Sequence, residues 1–331
     1  MSAITVSRLT KNYDGVLAND DVSFEVERGE IFGYLGPNGA GKTTTIRTLM
    51  GFQSPSSGTA TLLDADIRDE AAMVEARSRV GYLPANPGFD ETVTGSEVLD
   101  LHESLKGGPR RAELLELFDA PVERTIRGYS TGQKQKLGLV QAFMHDPDLV
   151  VMDEPTAGLD PLVQQQFNEF VREEKRAGTT VFLSSHVLSE VRRVCDRIGI
   201  IRNGGIVTVE RVEDLLQRSG KFVRVRVAAD ISAADVGLAG AHDISVRSLD
   251  DSYTESVVAA GTTTGAETAT ELTFTYTGDF DSLVDFVDGY HVLELDVEEA
   301  PLEQVFMRFY GGGADETNGE TAAEADDGGV A

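Results

Sequence analysis

Residues 36–43 read Gly36-Pro37-Asn38-Gly39-Ala40-Gly41-Lys42-Thr43. Glycine at the first and sixth places, then lysine, then a hydroxyl, is a spacing suited to holding phosphate. Glycines let the backbone curl so that successive N–H groups point inward at phosphate oxygens. Lys42 can then reach the β- and γ-phosphates of a nucleoside triphosphate, and the Thr43 hydroxyl can ligate Mg²⁺. Farther along, the apolar run Leu149-Val150-Val151-Met152 ends in Asp153-Glu154. Asp153 is expected to hold the Mg²⁺ through water. Glu154 is placed to polarise a water toward the γ-phosphate. Two acids closing a strand are more often the start of a solvated loop. The phosphate loop upstream makes the chemical reading the stronger one.

These residues need elements to hold them. Ile31-Phe32-Gly33-Tyr34-Leu35 predicts a buried strand, and Thr44 to Met50 the first turns of a helix. That strand–loop–helix order is the context a phosphate loop requires, and the helix N-terminus adds a positive dipole end. Upstream, residues 4–9 predict a strand, Lys11 to Gly15 a turn, and Asp21 to Val26 a half-buried antiparallel strand of period two. Thr59–Leu63 and Arg79–Leu83 add strands. Residues 86–145 carry helical patterns and no convincing strand, as expected of a helical insertion. Leu149–Met152, Thr180–Leu183 and Ile198–Ile201 then alternate with helical stretches, the pattern of a parallel sheet.

Composition shifts near Gly220. Beyond it, Phe222–Val227, Leu272–Tyr276 and His291–Val297 predict strands, and Ser282–Val287 and Leu302–Tyr310 helices. A small α+β domain with a split βαβ arrangement is expected over 221–310. Residues 259–265 are a low-complexity loop. The acidic segment 311–331 lacks aromatics and is expected to be disordered.

The chain has 331 residues, one cysteine (Cys195) and 40% hydrophobic residues. That is enough for two domains with real cores, and no disulfide framework. No apolar run is long enough to span a bilayer, and no secretory signal stands at the N-terminus. An intracellular protein is therefore expected. The formal net charge of −27 disfavours a nucleic-acid partner. Lysines number 7 and arginines 22. Acid excess with scarce lysine resembles proteins of salt-loving organisms, where salt screens self-repulsion. An ordinary acidic protein is the alternative, but the tail holds too few acids to account for the imbalance.

Five motifs in order now resemble those of the ATP-binding cassette (ABC) ATPases. Tyr129-Ser130-Thr131-Gly132-Gln133 is similar to the family's signature, usually written L-S-G-G-Q. Asp153 to Asp160 resembles its second acidic motif and the loop that follows. His186, after Val181-Phe182-Leu183, matches the switch histidine. Tyr13 stands where the family places an aromatic against adenine. The resemblance covers about residues 3–220.

It implies an α/β P-loop NTPase of ABC type over 1–220. Such a domain has an antiparallel β subdomain, a parallel RecA-like core and a helical insertion at about 86–145. It implies ATP and Mg²⁺, held by Tyr13, Gly36, Pro37, Asn38, Gly39, Ala40, Gly41, Lys42, Thr43, Thr44 and Asp153. It implies that two copies pair head to tail, so that Ser130, Gly132 and Gln133 of one face the nucleotide of the other, with Asp160 across the interface. Glu154, His186 and Lys42 are the implied catalytic set. The family docks its helical insertion on an integral membrane permease, which puts the chain on the cytoplasmic face of a membrane. The wording around Gln133 is similar to exporters with a small C-terminal extension. A soluble ABC ATPase of translation or DNA repair is the alternative; those have paired cassettes or a long coiled coil. A module that binds ATP without turnover is disfavoured by Glu154 and His186. One position departs from the family: most members place a glutamine where Ala85 stands, after Gly81-Tyr82-Leu83-Pro84. Alanine has no polar atom, so that contact is missing or falls to a neighbour such as Asn86.

Overall fold

The computed structural model describes residues 1–249 and 269–299. The expected loop at 259–265, the helix Leu302–Tyr310 and the disordered segment 311–331 lie outside the described residues. The chain divides into two compact units, Met1–Asp214 and Leu215 onward.

The first unit holds two sheets. In the antiparallel one, β1 (Ser2–Tyr13), β2 (Val16–Glu27), β4 (Ser57–Leu62) and β5 (Ala65–Asp66) lie in the order β2-β1-β4-β5. The turn expected at Lys11–Gly15 shrinks to its last two residues. Asp14 (φ 48°) and Gly15 (φ 100°) both take left-handed backbone, so strand pairing runs on to Tyr13↔Val16. Asp-Gly suits a two-residue hairpin turn whose twist matches the strands it joins.

The second sheet holds β3 (Ile31–Leu35), β6 (Val80–Leu83), β7 (Leu149–Asp153), β8 (Thr180–Ser185), β9 (Arg197–Arg202) and β10 (Gly205–Arg211). Their order is β10-β9-β3-β8-β7-β6. All neighbours pair parallel except the β10–β9 hairpin. Every residue of β3, β7 and β8 is buried. Continuous apolar runs are what strands covered on both faces require. Phe24 of β2 stacks on Phe32 of β3 (5.5 Å) and Phe182 of β8 (5.9 Å), welding the two sheets into one core.

Helices α1 (Lys42–Leu49), α2 (Glu70–Ser78), α6 (Pro161–Ala177) and α7 (Leu188–Val194) accompany the sheets. The stretch 86–145 is helical as expected, with α3 (Gly95–Lys106), α4 (Arg111–Phe118) and α5 (Thr131–Phe143). Thr94 starts α3 with a reciprocal capping box to Glu97.

α8 (Val212–Ser219) leads into the second unit, which contains β11 (Lys221–Val227), β12 (Ala241–Leu249), β13 (Ala269–Tyr276), α9 (Phe280–Asp288) and β14 (Val292–Glu299). The order is β12-β13-β11-β14, every pair antiparallel. β13 and β14 are therefore parallel to each other, with β11 between them and α9 connecting them: a split βαβ. Val223, Val225 and Val227 of β11 face a core with Phe274 and Leu283. The alternating Arg226 faces the other way, between Glu271 and Glu294.

Two histidines of the helical region, His145 buried and His102 half-buried, pack against each other. His102 of α3 and His145, just past α5, lie edge to face with ring centroids 5.4 Å apart. His102 Nδ1 meets Gln141 at 3.4 Å. Burial, and then the Lys106 charge, push both imidazoles down to about 4. Lys106 is itself pushed down to about 8 by burial and then by Arg77. The unfolded imidazoles titrate near about 6.5. Unfolding therefore takes up protons between those values, and stability is complete above the upper one and lost toward the lower. The pair should contribute a slope of roughly 1–2 kcal/mol per pH unit, allowing for partial solvent access. Denaturant unfolding from pH 7 to pH 4.5 checks it: a His102→Leu/His145→Leu double variant should lose stability less steeply than the parent. Equal slopes would overturn the assignment.

Candidate functional site

The site lies where four strands of the parallel sheet end. β3 delivers the phosphate loop, β6 leads to Ala85, β7 ends at Asp153, and β8 runs into His186. Open α/β sheets bind ligands at such carboxyl ends, beside the point where connections diverge. A cleft of about 280 Å³ opens there. Pro37, Asn38, Gly39, Gly41, Lys42, Thr43 and Thr44 line it with Ala18, Ala85, Asp153 and Glu154.

The loop holds its shape through glycine and through neighbours on other strands. Gly41 (φ 107°) has left-handed backbone, and a Cβ there would stand 2.3 Å from the Ala18 carbonyl oxygen. Any side chain would push the loop off β2. Buried Asn19 donates to the Gly41 carbonyl (3.3 Å) and the Thr45 hydroxyl (3.0 Å). On the other side, the Gly204 amide donates to the Ala40 carbonyl (3.0 Å). Gly36 packs so closely on Ile201 that a Cβ would lie 2.5 Å from its carbonyl oxygen.

Six charged or polar side chains converge. Lys42 is 6% exposed. Its Nζ donates to the Gly36 carbonyl (2.6 Å) and lies 3.3 Å from Glu154 Oε1. The other oxygen, Glu154 Oε2, meets His186 Nδ1 at 2.8 Å. Thr43 Oγ1 donates to Asp153 Oδ2 (2.7 Å), while the Ser184 hydroxyl donates to Asp153 Oδ1. A hydroxyl and a carboxylate brought together form an all-oxygen donor set, the chemistry Mg²⁺ selects. Glu154 itself has left-handed backbone (φ 51°), uncommon outside glycine and short polar residues. Its amide donates to the Ser184 carbonyl and hydroxyl (both 3.2 Å). Its carbonyl accepts from Gln135 Nε2 (3.3 Å), which also donates to the Pro155 carbonyl (3.0 Å). The strained residue is thus held from both sides.

Other expected site residues stand outside the cleft. Tyr13 is exposed at the end of β1; its hydroxyl donates to Gln53 Oε1, and Gln53 Nε2 donates to the Thr44 carbonyl (2.9 Å). The tyrosine is thereby tied to the first turn after the phosphate loop. Ser130 caps α5 in a reciprocal box with Gln133, so the helix N-terminus starts at the signature. A Cβ on Gly132 would come 2.4 Å from the Gly158 carbonyl oxygen. The Asp160 carboxylate caps α6, accepting from the Leu162 and Val163 amides. Tyr13, Ser130, Gly132, Gln133 and Asp160 are absent from the lining of the cleft within this chain.

Ser184, Gln135, Asn19 and Gln53 escaped the sequence reading. Ser184 had a signal: a hydroxyl closing an apolar strand two residues before a histidine. The others are single polar residues whose partners are distant in sequence.

Comparison with known proteins gives a consistent neighbourhood. Residues 19–157 match the family profile for ABC transporters. The bacitracin transport ATP-binding protein BcrA of Bacillus licheniformis is 30% identical over 317 residues, covering 94% of this chain and 98% of its own. The Nod factor export ATP-binding protein I of Ralstonia nicotianae is 36% identical over 221 residues, 64% of this chain and 68% of its own. A solved ATP-binding subunit of an ABC transporter superposes with a TM-score of 0.60 at 31% identity, covering 66% of this chain and 93% of that one.

Proposed function

The chain belongs to the ABC transporter family as an ATP-binding, ATP-hydrolysing subunit, and from that premise we propose that it drives export through a separate membrane permease. The observation that carries the proposal is the meeting of Lys42, Thr43, Asp153, Glu154 and His186 at the ends of β3, β7 and β8, the first four of them lining one cleft of about 280 Å³.

The residues divide the work as follows. The loop Gly36–Thr44 surrounds the phosphates with backbone N–H groups, and Lys42 supplies the charge that grows important as the γ-phosphoryl leaves. Thr43 and Asp153 would hold Mg²⁺, which would supply positive charge to the phosphates. Glu154 accepts the proton of the attacking water. His186 fixes the carboxylate's orientation through the 2.8 Å contact, and its ring would hydrogen-bond the γ-phosphate. Tyr13 offers its ring to adenine. Ser130, Gly132 and Gln133 of one copy close over the nucleotide of a second, with Asp160 near the seam. ATP thereby holds two copies together and hydrolysis releases them, a switch set by γ-phosphate contacts. The helical stretch 86–145 belongs to the same 1–220 cassette, and 221–310 is a separate small domain.

The contact for the permease is the groove of about 200 Å³ between β6 and α5, which includes Tyr82, Pro87, Phe89 and Gln141. Leu101 and Leu105, one turn apart on α3, add exposed apolar surface in the same helical region. Docking there would put the subunit on the cytoplasmic face of the membrane. Export of a small cargo is supported by the relative named for Nod factor export. The test is detergent extraction of the tagged full chain from its own host. A multi-span membrane protein should co-purify and stimulate ATP hydrolysis. Recovery of the chain with ribosomal or DNA-repair components instead would overturn the transport reading.

The acid excess supports a further environmental reading, adaptation to high salt. The melting temperature should rise by at least about 10 °C between about 0.1 M and 3 M KCl, as screening relieves self-repulsion. An unchanged melting temperature would count against it.

A further inference from the structure

The Glu154–His186 contact joins two strand ends, yet His186 has little around it. Its side chain is 52% exposed, and its described hydrogen bond is the one to Glu154. The backbone on either side must therefore set where the ring stands. One carboxylate reaches both sides. Glu190 lies one turn beyond His186 on α7. Its Oε2 accepts from the Thr156 hydroxyl (2.8 Å) and from the Ser185 hydroxyl (3.0 Å). Thr156 stands two residues after Glu154, and Ser185 immediately precedes His186. Thr156 is 7% exposed and Ser185 1%, so water offers neither hydroxyl a ready substitute.

We infer that Glu190 is a positioning residue for hydrolysis. It fastens the turn after Glu154 to the strand end before His186, and so fixes the geometry of that pair. The inference rests on the roles proposed for Glu154 and His186. The plainer account is that Glu190, an acid in the first turn of α7, only favours the helix N-terminus. That account needs no hydroxyls, and it predicts no change in turnover when the hydroxyls are removed. Two buried donors converging on one oxygen are what a brace between segments requires. Hydrogen bonds to charged groups are the stronger kind; losing the acceptor strands the Thr156 hydroxyl and leaves Ser185 only its longer 3.4 Å contact to the Val187 carbonyl.

Steady-state ATP hydrolysis by the full chain tests this. Glu190→Ala should lower kcat roughly 10- to 100-fold with KM for ATP within about threefold, the pattern of a contact that matters mainly in the transition state. Glu190→Gln keeps an acceptor oxygen for both hydroxyls and should return kcat to within about threefold of the parent. Thr156→Val removes one of the two links and leaves Glu190 in place; it should lower kcat about three- to tenfold. A Glu190→Ala kcat within twofold of the parent overturns the inference, as does a Gln variant no better than the Ala one. If Glu190→Ala does not fold, an unchanged kcat in Thr156→Val overturns it. Glu154→Gln is assayed alongside. Full activity there removes the underlying reading of Glu154, whatever Glu190 does. Lost activity there with normal Glu190→Ala and Thr156→Val removes only the brace.

Discussion

Replacing Lys42 with alanine should lower ATP turnover by at least about 10³-fold and weaken ATP binding as well, since it removes a buried charge aimed at the phosphates. The size follows from where the ammonium sits. It is almost wholly buried, tethered to the Gly36 carbonyl and 3.3 Å from Glu154 Oε1. Alanine takes away the cation the phosphates meet. It also strands the Glu154 carboxylate, itself only 17% exposed, without a counter-charge on one side. Breaking such a pair from one side costs about 3–5 kcal/mol when both partners are deeply buried, less as water enters. The variant should therefore lose both affinity and rate. Phosphate release under saturating ATP measures the second, and nucleotide titration the first. Turnover within tenfold of the parent would remove Lys42 from the catalytic set.

The second large effect is Glu154→Gln. Its amide has nearly the shape of the carboxylate and leaves the loop intact, so ATP binding should survive. Turnover should drop about 10³-fold, because the group that takes the water's proton is gone. One oxygen faces Lys42 and the other His186, so an amide must also turn an NH₂ toward one of two donors. If two copies close on ATP, this variant should accumulate as an ATP-dependent dimer in sedimentation, where the parent cycles back to monomer. Normal hydrolysis by Glu154→Gln would end the base assignment.

The residues that line the cleft were legible because most sit in a dense local pattern. Gly36–Thr43 is contiguous, and Asp153-Glu154 closes an apolar strand. The parallel strands were legible for the same reason, as unbroken apolar runs. What the sequence hides is pairing at a distance. No local signal orders β9, β3, β8 and β7, and it is this order that brings residues 43, 153 and 184 together. Strand β12 was missed because its apolar residues are few and half exposed, so its alternation is short and shallow. The Tyr13 hairpin ran longer than expected because two residues with positive φ suffice for the turn. Gln135 gave no sign at all: a glutamine in a polar stretch of helix looks like a solvated face. It is fully buried, and its partners are nineteen and twenty residues away.

That glutamine gives α5 the character of a strut. Ser130 begins the helix, and Gln135 lies five residues on, bonded to the peptides of Glu154 and Pro155. Five residues of α-helix span about 7.5 Å and do not shorten under small loads. Near the same end, Gly132 rests against the Gly158 carbonyl, leaving no slack for a side chain. Ser130 and the left-handed Glu154 are thus joined by one short run of helix and one buried amide.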